Sequence, residues 1–194
     1  VSKTSDPVSG GWWAYAFQAP SFPDYPHYGV WPDAYYVGTN ESSPAVYAFD
    51  RARMLNGQTA TFQRFTASSL AGFSFQIVTP ADLDGATAPP AGARGIFARH
   101  RDDEVHNSGS NNTSQDYLDV FEFHVDWTTP ANSTFTGPTS VAMAEIDSSL
   151  CGLTSFACIP QPGSSTTLDP LREVIMNRLQ YRNFGSYQSL VGSL

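Results

Sequence analysis

The chain has 194 residues, of which 41% are hydrophobic and 13% aromatic, so it can bury a core as one domain and is not a disordered chain. Charged residues make up 14%, and the net charge of −8 opposes long-range attraction to nucleic acid or anionic lipid. No apolar run approaches the roughly 20 residues that a membrane span needs. We therefore expect neither a nucleic-acid partner nor a membrane span.

Short apolar or alternating runs, divided by Pro, Gly, Ser and Asn, predict many strands and few helices. In chain order the predicted strands are GWWAYAF, DAYYVGTN, AVYAFDRARML, ATFQRFTA, GFSFQIVTPA, RGIFARHR, YLDVFEFHVDW, TSVAMAEID, NRLQYRNF and SYQSLVGSL. Residues 168–179 suit either a short helix or a strand in their second half. The polar segment 101–116 predicts a surface hairpin loop, and the charged run ARHRDDE (98–104) predicts a solvated loop.

The grouping of the strands predicts the fold class. They come in groups of about four between long polar breaks, which predicts an all-β fold of antiparallel four-stranded blades, that is, a β-propeller or partial propeller. A β-sandwich or jelly roll fits nearly as well, and composition does not choose between them.

The stretch DYPHYGVWPDAYYVGT, residues 24–39, combines carboxylates with aromatic side chains. Asp24 and Asp33 both precede a predicted strand, which favours their lying near one mouth of the fold as the acid and base of a glycosidase. Such a pair needs carboxyl groups about 5 to 5.5 Å or about 6.5 to 9.5 Å apart. The alternative is that both aspartates cap turns.

Several aromatic residues of the same stretch suit stacking against sugars, since their rings are flat and amphipathic. The candidate substrate-binding residues are Tyr25, Trp31, Tyr35 and Tyr36. Packing of these rings between neighbouring sheets is the competing interpretation.

In YLDVFEFHVDW, strand alternation places Glu122, His124 and Asp126 on one face. Neighbours on that face lie about 6.6 to 6.8 Å apart, so the two carboxylates are poorly placed as an acid and base pair. Histidine and carboxylate are usual metal ligands, so the three residues are a candidate site for a structural divalent metal. A solvated polar face with no cofactor, and a buried charge network, are the alternatives.

Cys151 and Cys158 lie close together, with no histidine nearby and no second cysteine pair to complete a zinc site. A local disulfide is expected, and it indicates an oxidising compartment. Low lysine content and glycosylation sequons at Asn40, Asn111, Asn112 and Asn132 also suit a secreted protein. Two reduced, buried thiols are the alternative.

Several motifs together resemble a family of secreted bacterial β-propeller proteins, mostly without assigned activity. The motifs are GWWAYAF, DYPHYGVWPDAYYVGTN, AFDRARML, PADLDGATAPPAGA, FHVDWTTPANSTFTGP, CIPQPG and LQYRNFGSYQSLV. The resemblance covers nearly the whole chain and implies one all-β domain over residues 1–194, about three blades of a longer member. It also implies self-association or contact with the remainder of a longer chain.

Two hypotheses on function follow. The first is an extracellular binding or structural protein that contacts polysaccharide or another cell-surface component. The second is a carbohydrate-active enzyme that uses Asp24 and Asp33. The sequence lacks a G-x-S-x-G elbow, an H-E-x-x-H motif, a Walker loop and a Rossmann glycine pattern, so it gives no support to serine, zinc or nucleotide chemistry.

Overall fold

The structure is a computed structural model that describes residues 1–72, 76–106, 112–146, 151, 157–169, 175–176 and 178–193. These residues form ten β-strands with little helix, so the all-β prediction is confirmed. The strands are β1 (Asp24–Val30), β2 (Tyr35–Asn40), β3 (Ala45–Phe49), β4 (Phe62–Thr66), β5 (Thr79–Asp84), β6 (Gly95–Arg101), β7 (Asp116–His124), β8 (Thr134–Met143), β9 (Leu179–Asn183) and β10 (Gln188–Val191). The helices are α1 (Arg51–Leu55), α2 (Asp103–His106) and a 3₁₀ turn, Pro130–Asn132. Within the described ranges, no helix has the length and apolarity to cross a membrane.

The first sheet has the order β1-β2-β3-β4 and is antiparallel throughout, as predicted for a blade. Helix α1 interrupts the predicted strand AVYAFDRARML, because Asp50 caps a helix there by accepting the backbone N–H of Arg53 at 3.1 Å. The sheet is therefore a meander whose last connection contains one helical turn.

The second sheet has six strands in the order β10-β9-β5-β6-β7-β8 and curls into a half-barrel. It is antiparallel except where β5 runs parallel to β9, with Ala81 opposite Leu179. Two sheets of this form are consistent with a partial propeller or with a β-sandwich.

The core lies between the inner faces of the two sheets. Its largest fully buried side chains include Trp31 and Tyr36 from the first sheet and Phe97, Phe123 and Tyr181 from the second. The sheets approach most closely at two glycines, because a Cβ on Gly29 or Gly38 would collide with a backbone carbonyl of the chain leading into or forming β5.

Of three local predictions, two have definite outcomes. The disulfide between Cys151 and Cys158 is present, with Cα atoms 5.6 Å apart. Much of the segment 168–179 lies outside the described residues, although β9 begins at Leu179. The run ARHRDDE is not a solvated loop: its first four residues belong to β6, and Arg99, His100 and Asp102 are buried.

Candidate functional site

The structure does not bring Asp24 and Asp33 together. Asp24 begins β1, whereas Asp33 lies in the turn at the far end of that seven-residue strand. At about 3.3 Å per residue, their backbones are about 20 Å apart, well beyond either separation used in glycoside hydrolysis. Asp24 Oδ1 instead accepts the backbone N–H of Tyr25 at 2.9 Å. The geometry therefore gives no support to an acid and base pair made of these two residues.

Asp33 anchors the packing at the turn between β1 and β2. Its Oδ1 accepts a hydrogen bond from the hydroxyl of Tyr36 at 3.1 Å, and its carbonyl oxygen accepts one from the indole of Trp127 at 2.9 Å. Burial raises the pKa of Asp33, and burial followed by the charge of Asp33 raises the pKa of Tyr36. The carboxyl thus holds the turn against β2, while the backbone carbonyl of the same residue joins the turn to the segment that follows β7.

Of the four predicted sugar-stacking residues, two lie in the core and two lie at the surface. Trp31 and Tyr36 have no exposed surface, so they cannot offer a ring face to a ligand. Trp31 packs edge-on against Tyr181 at 4.8 Å and donates its indole N–H to the carbonyl of Ala93 at 3.0 Å. Tyr25 and Tyr35 are partly exposed, so two of the four predicted aromatics stay accessible.

The predicted metal-binding trio, two residues of β7 and one from the turn after it, does not converge. Glu122 is exposed and pairs with Arg94 at 2.8 Å, and His124 is exposed. Asp126 accepts the backbone N–H groups of the turn that follows, and the bond from Thr129 is the main cause that lowers its pKa. The half-exposed polar face agrees with the solvated alternative, while Phe121 and Phe123 face the core as alternation predicts.

A different group of carboxylates does converge, at the junction of β6, α2 and β7. Ligand oxygens of Asp102, Glu104 and Asp116 lie within 4.8 Å of one another, and the described residues contain no other such group. Asp116 is fully buried, lies 2.8 Å from the Nε2 of His100 and accepts the backbone N–H of Asp103 at 3.0 Å.

The chemistry of this acidic cluster follows from its crowding. Burial, followed by the charge of Asp102, raises the pKa of Glu104, and the buried Oε2 of Glu104 has no hydrogen-bond partner among the described residues. A shared proton relieves such repulsion, and carboxylate oxygens are also the ligands that Ca²⁺ and Mg²⁺ take. Asp116 already uses both oxygens within the protein, so its first role is to hold α2 against β7.

The outer face of the first sheet is the second notable surface. Strand alternation turns Tyr28, Val37, Tyr47, Phe49 and Phe62 away from the core. An extended segment, residues 13–20, crosses this face and is called the strap below. Its odd-numbered residues are partly buried and its even-numbered residues are exposed, a period of two that is typical of a strand.

Aromatic contacts hold the strap on the sheet. Phe17 packs against Phe49 at 4.7 Å and Phe62 at 5.7 Å, and the hydroxyl of Tyr15 bonds to the carbonyl of Met54 at 3.1 Å. The segment GWWAYAF is thus extended, as predicted, but its residues 14–17 lie in neither sheet.

An open groove remains between the strap and the sheet, here called the outer groove. It consists of two adjoining hollows of about 140 and 420 Å³ that share Phe17, Tyr28, Val37 and Phe49. Most side chains that line it are apolar or aromatic, and Tyr28 is 61% exposed. An accessible concave aromatic surface of this kind suits contact with another molecule.

A buried carboxylate fixes one end of the strap region to the sheet. Glu41 accepts hydrogen bonds from Arg64 at 2.7 Å, Ser21 at 2.7 Å and Thr39 at 2.9 Å, and also from Tyr47. Burial would raise the pKa of Glu41, but these four bonds outweigh it and lower the pKa. Thr39 and Tyr47 also line the outer groove, so this network stiffens its wall.

Sequence reasoning missed both surfaces. Prediction of the acidic cluster depends on the burial of residues in the 98–104 run, and no local sequence pattern indicates that burial. The outer groove had a usable signal, because Trp13, Tyr15 and Phe17 alternate with small or polar residues. That alternation predicted an extended segment but not the absence of partner strands beside it.

Comparison of the chain with protein-family models, curated proteins and solved structures gave no match. The resemblance to secreted bacterial β-propeller proteins therefore stays a prediction.

Proposed function

We propose that the protein is an extracellular binding or structural protein that contacts polysaccharide or another cell-surface component through the outer groove. One observation carries the proposal: an accessible aromatic face, with Tyr28 61% exposed, borders a hollow of about 420 Å³. Aromatic residues dominate the energetics of contact surfaces because they bury large areas at low entropic cost. The disulfide suits an oxidising compartment.

The carbohydrate-active enzyme is the weaker candidate. Its proposed acid and base, Asp24 and Asp33, lie at opposite ends of β1, and Asp24 bonds to its own turn. Binding without turnover is the simpler function for this arrangement.

The test uses a panel of soluble and insoluble polysaccharides together with purified cell-surface fractions. Each is incubated with the protein and assayed for depletion of protein and for release of reducing ends. We expect depletion without product, and Tyr28→Ala should weaken binding about tenfold. Tyr187→Ala is the matched control, because Tyr187 is 60% exposed but lies in the turn between β9 and β10.

Two results would contradict the proposal. Retention of full binding in Tyr28→Ala would exclude the outer groove as the contact surface. Release of reducing ends that disappears in Asp24→Asn or Asp33→Asn would establish the enzyme instead.

A further inference from the structure

The strap has an edge with unused hydrogen-bonding groups. Among the described residues, no backbone hydrogen bond to another part of the chain is formed by residues 14–18, although they are extended and alternate like a strand. A strand edge with free N–H and C=O groups is a template for another strand.

The strap already carries the beginning of a partner strand. Val1 and Trp13 exchange two hydrogen bonds, of 2.8 and 3.0 Å, and Ser2 forms an antiparallel bridge with Trp12. Backbone groups of alternate residues point to the same side of a strand. The N–H and C=O groups of Tyr15 and Phe17 therefore point to the same side as those of Trp13.

The outer groove lies on that side. Val1 lines it together with Tyr15, Phe17, Tyr28 and Val37. A strand that continued the pairing of Val1 with Trp13 would run antiparallel to the strap and lie directly over the groove. Its side chains opposite Tyr15 and Phe17 would point toward the sheet, because cross-strand neighbours share a face.

We infer that the outer groove binds an extended polypeptide segment by strand addition to the strap, with apolar side chains at alternate positions entering the groove. The inference rests on the proposed function of the outer groove as a contact surface. A polypeptide is the favoured occupant because the groove floor is mainly apolar and the strap beside it presents a row of unbonded backbone N–H and C=O groups, in addition to the hydroxyls of Tyr28 and Tyr35. The pairing would extend the existing contact between residues 1–3 and 11–13.

The probe is a library of short synthetic peptides in which Val, Leu, Ile, Phe or Tyr alternates with Thr, Ser or Lys. Binding to the full chain is measured by fluorescence polarisation. The best peptide is then resynthesised with one N-methyl group at each position in turn. N-methylation at every second position, where the N–H faces the strap, should weaken binding about tenfold, and the positions between should have little effect.

A protein variant provides the matched test of the groove. Tyr28→Ala should weaken the peptide by a similar factor, whereas Ala16→Ser, on the exposed side of the strap, should not change its affinity. A library without binders, or an N-methyl scan without a period of two, would overturn the inference.

The outcomes separate the inference from the function on which it rests. Binding of a polysaccharide that depends on Tyr28, with no peptide binding, would leave the proposed function in place and overturn strand addition. Absence of both kinds of binding would overturn both proposals.

Discussion

Ser21, the residue directly after the strap, donates a hydrogen bond of 2.7 Å to Glu41, whose side chain has no exposed surface. The bond connects a segment outside the sheets to a carboxylate that Arg64 and two further hydroxyls also hold. The position of the strap, and with it the shape of the outer groove, therefore depends in part on this buried charge, alongside the contacts of Phe17 and Tyr15 with the sheet region.

Replacement of Glu41 tests that dependence. Glu41→Gln removes the charge and leaves Arg64 without its carboxylate partner, so we expect the free energy of unfolding to fall by about 2 to 4 kcal/mol. Ser21→Ala removes one bond from the exposed side and should cost about 1 kcal/mol. Urea denaturation measures both values, and equal losses in the two variants would contradict the central position of Glu41.

Removal of the charge of Asp33 should not lower stability, in contrast to removal of the charge of Glu41. Because burial raises its pKa, the ionised carboxylate is unfavourable in the folded protein at neutral pH. Asp33→Asn keeps an acceptor for the hydroxyl of Tyr36 without the charge, so stability should be unchanged or higher. Asp33→Ala removes that acceptor and should cost about 1 to 3 kcal/mol. Thermal unfolding of both variants at pH 7 checks the order, and a less stable Asn variant would count against it.

His27 makes stability depend on pH. It is buried, its Nδ1 lies 3.2 Å from the hydroxyl of Thr79, and burial lowers its pKa from 6.5. Below about pH 6.5 His27 binds a proton in the unfolded chain but not yet in the folded chain. The free energy of unfolding therefore decreases as the pH falls from about 6.5. Urea denaturation between about pH 5 and pH 7.5 should show a smaller decrease in His27→Gln. Parallel curves for the two proteins would exclude His27 as a source of the dependence.

The disulfide should contribute to stability from outside both sheets. Cys151 and Cys158 close a short loop after β8, so the double variant Cys151→Ser, Cys158→Ser should lose about 2 to 3 kcal/mol. Dithiothreitol should destabilise the native protein by a similar amount and leave the double variant unaffected. If the reductant affects both proteins alike, the loss does not arise from this bond.

Local patterns predicted β7 well, because its alternation from Asp119 to His124 directly reflects one buried face, whereas β1 was not among the predicted strands. They failed where a tertiary contact decides the outcome. Trp31 lies in a Pro-flanked turn that suggests exposure, yet the carbonyl of Ala93 and the ring of Tyr181 hold it in the core. The acidic cluster was missed for the same reason, since the convergence of Asp102, Glu104 and Asp116 has no signature in their spacing.

The parallel pairing of β5 with β9 has a consequence for the order in which the molecule can fold. Ala81 finds its partner Leu179 only after the whole segment between them has been synthesised. During translation the edge of β5 therefore stays without the strand that pairs with it. Contacts so distant in sequence slow folding, so a ribosome-bound chain that stops before residue 179 should expose this edge to chaperones and to aggregation.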